Sequence, residues 1–119
     1  MFIVDRSAAL IRPKQPFLDW LNALPGNEVT LTLDDIRADC TVILVPEVSE
    51  PEDGISYIDD VADRLFEMEL ASWAEDESQW PTKRNLKLFW EWFDVEIHLG
   101  VMDSVSEDIH NTPADHGYH

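Results

Sequence analysis

The stretch "SEPEDGISYIDDVADRLFEMELASWA", Ser49 to Ala74, constrains the fold more than any other part of the chain. Ile58, Val61, Ala62, Leu65 and Met68 recur at helical spacing and make one apolar stripe. Pro51 stands near the first helical position, and Glu50, Glu52 and Asp53 surround a helix start whose dipole favours anions. A helix with a single apolar stripe must lie against a sheet or other helices, with its charged side in water.

The strands for that packing are legible on either side. "CTVILVP", Cys40 to Pro46, is apolar at both alternating sets of positions, which predicts a strand covered on two faces and central in its sheet. "FDVEIHLGV" alternates strictly: Phe93, Val95, Ile97, Leu99 and Val101 point one way, and Asp94, Glu96 and His98 the other. "FIVD" and "AALIR" read as one interrupted strand from Phe2 to Arg12, closed by Pro13. Phe17, Leu18, Leu21 and Leu24 predict a short helix after Pro16 that "LPGN" stops, and Thr32 with Asp35 forms a capping-box pattern for another, through about Asp39. A further helix is predicted from Pro81 to Trp92. The expectation is a small α+β domain over 1–102, with about three strands and helices mainly on one face of the sheet. Residues 103–119 read as a polar, mobile tail.

Composition narrows the function classes. One domain is the natural reading of 119 residues, and a chain of this size buries roughly two-thirds of its unfolded surface. Cys40 is the sole cysteine, so no intrachain disulfide forms, which suits a reducing cytoplasm. The start "MFIVDRSAALIRPKQ" has no basic segment followed by an apolar run, and no stretch is apolar enough to span a bilayer, so a cytoplasmic protein is expected. A net charge of -17 repels phosphate backbones and anionic lipid and attracts basic partners.

The acids are concentrated. From Glu47 to Glu77 there are twelve, opposed only by Arg64. On a helix Asp59, Asp63 and Glu67 stack four residues apart, a rail of carboxylates about 6 Å from one another. Each like-charge pair costs about 0.2–0.5 kcal/mol. A solvated helix face is the ordinary explanation. The functional one is an anionic surface, with Asp60 and Glu52 beside the rail, that docks into a basic groove and in the extreme imitates a DNA backbone.

Catalytic patterns are weak. "DDVAD" has the DDxxD form that holds Mg²⁺ in isoprenoid synthases, but those enzymes need a second acidic motif and a deep all-helical cavity that this chain is too short to make. His98, His110, His116 and His119 are scattered, and Glu107 with His110 is a single half of a di-iron pattern that requires two. Cys40 borders a strand with no histidine near it in sequence, and no phosphate-binding glycine motif occurs. No cofactor and no metal are implied.

Four of five tryptophans fall in "WAEDESQWPTKRNLKLFWEW". Placed on a helix, Leu86, Phe89, Trp90 and Phe93 form one stripe, while Leu88 and Trp92 lie on another side, as core or as a patch for a second copy of the chain. Lys83 and Arg84 would sit in the first turn, where the dipole disfavours cations by about 0.3–1 kcal/mol. They are expected to answer Glu75, Asp76 and Glu77 or an acidic partner element.

"IVDRSAALIRPKQPFLDWLN" and "WPTKRNLKLFWEWFDVEIH" resemble the bounding motifs of a family of short acidic bacterial proteins with no assigned activity. The resemblance covers residues 1 to about 100 and transfers no catalytic residues. The reading is therefore a non-enzymatic module that binds a basic protein, such as a nucleic-acid-binding one, without touching nucleic acid or membrane. A homodimer, and a small enzyme or metal-dependent factor using cleft carboxylates and His98, are the alternatives.

Overall fold

A computed structural model of the chain describes residues 1–114. The main sheet has three antiparallel strands, β2 (Arg6–Pro13), β3 (Thr41–Pro46) and β4 (Phe93–His98), in the order β3-β2-β4. A two-residue ladder joins β1 (Phe2–Ile3) to β5 (Met102–Asp103). The helices are α1 (Gln15–Asn22), α2 (Leu33–Arg37), α3 (Pro51–Ala71) and α4 (Leu86–Trp92). The fold is α+β, and none of its described helices is long and apolar enough to cross a membrane.

Pleating decides what each strand buries. On the inner face Ala9, Ile11, Val45 and Phe93 are buried and meet Ile58, Leu65, Phe66 and Leu70 of α3 in one core. Ser7 is buried there too, and its hydroxyl donates to the Leu99 carbonyl and accepts from the Val48 amide, tying two loops across the sheet. On the other face Val42 and Leu44 are 60% and 50% exposed, beside exposed Asp94, Glu96 and His98.

β3 is thus an edge strand, not the doubly covered central one that its apolar run predicts. The Arg6–Pro13 strand takes the centre, because both β3 and β4 pair with it, Leu10 facing Val42 on one side and Glu96 on the other. A run apolar on both faces reports residue type only; it does not ensure that a second layer exists.

Local signals set the helix ends. Thr32 and Asp35 close their box: the Asp35 amide donates to the Thr32 hydroxyl, and the Thr32 amide to the Asp35 carboxylate at 2.8 Å. Gly26, with φ of +81°, takes the left-handed turn after α1 that other residues avoid. α4 begins five residues later than its predicted start at Pro81, because Asn85 caps it by accepting from the Leu88 amide. It then passes into β4 with no intervening loop, so Trp92 and Phe93 both reach the core from consecutive positions.

Candidate functional site

The carboxylate rail is partly engaged by its own chain. Asp59 accepts from the Trp90 indole at 2.8 Å, and Glu67 accepts from Arg84 at 3.3 Å. Arg84 also donates to the Pro81 carbonyl and lies over the Trp80 ring. Lys83 and Arg84 precede α4 instead of forming its first turn, and Arg84 answers Glu67 across the fold, not Glu75, Asp76 or Glu77. Lys83 is exposed. The carboxylates that α3 still offers to solvent are Glu52, Asp53, Asp60 and Asp63, all exposed, with exposed Arg64 one turn beyond Asp60. None of these four forms an ion pair among the described residues.

Trp92 and Leu88 are partly buried against the core. The Trp92 ring lies 5.4 Å from Phe66 and 6.0 Å from Phe17, within an aromatic cluster that also holds Trp20 and Phe93. Two further indoles have their N–H groups answered by the same chain: Trp20 donates to the Gln79 carbonyl and Trp80 to that of Ala74.

Glu96 and His98 stand on the exposed sheet face rather than in a cleft. The His98 ring, at 3.1 Å, and Arg12, at 3.0 Å, hold the Glu96 carboxyl below its ordinary range, the histidine bond contributing most. Among the described residues no three His, Cys, Asp or Glu side chains are grouped to hold a metal ion. His116 and His119 lie outside the described residues.

The chemically distinctive place is one that sequence reasoning passes over. Glu69 points inward from the last turn of α3 and is only 9% exposed. It lines a cavity of about 270 Å³ together with Phe17, Ile36, Asp39, Thr41 and Trp73. Its Oε1 has no hydrogen-bond partner. Burial raises its pKa, and a hydrogen bond from Thr41 opposes that shift. The signal was present in the spacing: Glu69 follows Ile58, Ala62 and Leu65 at four, three and four residues, so it continues the buried stripe.

A pH dependence follows. Below the ordinary value of 4.5 the group is protonated in both folded and unfolded chains and costs nothing electrostatically. As pH rises from there through the higher folded value, the unfolded chain ionises first, and stability falls until the folded group ionises too. Glu69→Gln is therefore expected to exceed the parent in stability at pH 7 by about 1 kcal/mol or more, with the gain vanishing in acid. Urea unfolding at several pH values checks this; parallel curves for the two proteins would show that Glu69 carries no burial penalty.

No protein-family model, no curated protein and no solved structure matches the chain.

Proposed function

We propose that the protein is a non-enzymatic docking module that recognises a basic protein through the solvent side of α3. The observation that supports this reading is the exposure of Glu52, Asp53, Asp60 and Asp63 on one long helix, in a chain of net charge -17. Asp59 and Glu67 define the flank of that surface, since Trp90 and Arg84 occupy them. Nucleic-acid-binding proteins are the partner class such a face fits, because their grooves are built to accept spaced negative charge. In this reading the protein works in the cytoplasm and uses neither cofactor nor metal.

The test is titration with a Lys/Arg-rich peptide at low and high salt, following backbone amide shifts. Replacing Asp53, Asp60 and Asp63 together by Asn is expected to weaken binding about tenfold at low salt, each exposed charge contributing a fraction of a kcal/mol. Neutralising Glu28, Asp34 and Asp108 instead should change little. Equal losses in both triple variants would mean that overall charge, not the α3 face, attracts the peptide.

A further inference from the structure

The Glu69 cavity is separate from the outer face of α3 and makes a different chemical demand. Its walls come from five elements: Ile11 of β2, Phe17 of α1, Ile36 of α2, Thr41 of β3 and Glu69 of α3, with Trp73 just past the end of α3. Phe17 and Ile36 are buried, while Trp73 is 48% exposed and stands with exposed Asp39 at the solvent side. A buried carboxyl oxygen without a partner is uncommon in a folded protein and is costly unless something meets it. Here the oxygen belongs to a side chain that lines a space large enough for a small molecule.

The lining selects the ligand by charge. Two carboxyls, Asp39 and Glu69, line it beside the Cys40 thiol, and no Lys, Arg or His contributes to it. The nearest basic residue along α2, Arg37, is turned to the Pro13 carbonyl and to Asp94. The Ser72 hydroxyl already donates to the Met68 carbonyl, and Thr41 is bonded to Glu69 itself. A group able to meet the Glu69 carboxyl must therefore bring its own donors, and the surrounding negative potential favours one that also brings positive charge. The rest of the space is lined by Ile11, Phe17, Ile36 and the Trp73 ring, which favour an apolar body.

We propose that this cavity is a binding site for a small organic primary ammonium, its charged group pairing with the Glu69 carboxyl and its apolar part lying against Phe17, Ile36 and Trp73. An ammonium stabilises the ionised carboxyl that burial otherwise disfavours. The stability lost at neutral pH by keeping Glu69 in the interior is then recovered on binding.

The experiment uses the full chain and three probes of increasing size, methylammonium, butylammonium and benzylammonium, with butanol and benzyl alcohol as neutral counterparts. Saturable shifts in the amides of Thr41, Glu69 and Trp73 are expected for at least one ammonium. Its neutral counterpart should bind about tenfold more weakly or worse, as should the ammonium to Glu69→Gln. Ile36→Phe, which fills the cavity while leaving the carboxyl in place, is expected to weaken binding as well. Four results would overturn the proposal: no saturable binding by any of the three, equal binding of ammonium and alcohol, unchanged affinity in both variants, or shifts confined to Asp53, Asp60 and Asp63. The last would mean that the cation merely condenses on the acidic helix.

Discussion

Phe93→Ala is expected to lower folding stability by about 3–5 kcal/mol, a large part of the roughly 5–15 kcal/mol that holds a domain together. Phe93 is fully buried, and its ring lies 5.1 Å from Phe89, 5.3 Å from Phe17 and 5.5 Å from Phe66. It belongs at once to the end of α4, the start of β4 and the floor under α3, so the cavity left by truncation borders three elements that cannot all move inward. Val42→Ala is the matching control. A strand covered on both faces would lose about 1 kcal/mol or more there, whereas 60% exposure predicts a change within about 0.5 kcal/mol. Urea midpoints for the two variants compare the aromatic core with the open outer face of β3. Comparable losses at both positions would contradict the exposure of that face.

Gly54→Ala should destabilise by about 1–2 kcal/mol, against the usual preference of a helix for alanine. A Cβ on Gly54 would stand 2.9 Å from Ile97 Cγ2 and 3.0 Å from both Cγ1 and Cδ1. The first turn of α3 is therefore pressed onto β4 where only a residue without a side chain fits. Cγ2 and Cγ1 are fixed to the Ile97 Cβ, so rotation of the side chain cannot clear all three atoms. Ile97→Ala removes them. In that background Gly54→Ala should reverse sign and stabilise by about 0.5–1 kcal/mol, the ordinary gain from replacing a helical glycine. A double-mutant cycle by urea unfolding reads the reversal. If Gly54→Ala stabilises in the parent as well, α3 does not rest on β4 at this point.

The same close packing explains why the candidate sites were unequally legible. The acidic surface of α3 was visible because exposure follows from helical spacing and charge alone. Its division into free and engaged carboxylates was not, since Trp90 and Arg84 reach Asp59 and Glu67 from positions 31 and 17 residues away. Glu69 is one of many acids in its segment, although its spacing places it on the buried stripe. Recognising a buried carboxyl also required Thr41 and the cavity wall, contributed by elements distant in the chain. Leu88 and Trp92 were legible as apolar and set apart from the main stripe of α4. Only the packing of Phe17, Trp20 and Phe66 around Trp92 decided that they lean inward.

The sequence by itself determined the α+β class, the capping box at Thr32, the start of α3 at Pro51 and the inward set Phe93, Val95 and Ile97 of β4. These depend on interactions within a few residues, whose geometry repeats with the period of a helix or a strand. Tertiary structure alone decided that β2 is central and β3 an edge, that Arg84 meets Glu67, and that Glu69 faces a cavity. Each of these depends on which distant surfaces cover one another, and apolar spacing says that a face needs covering without saying what will cover it.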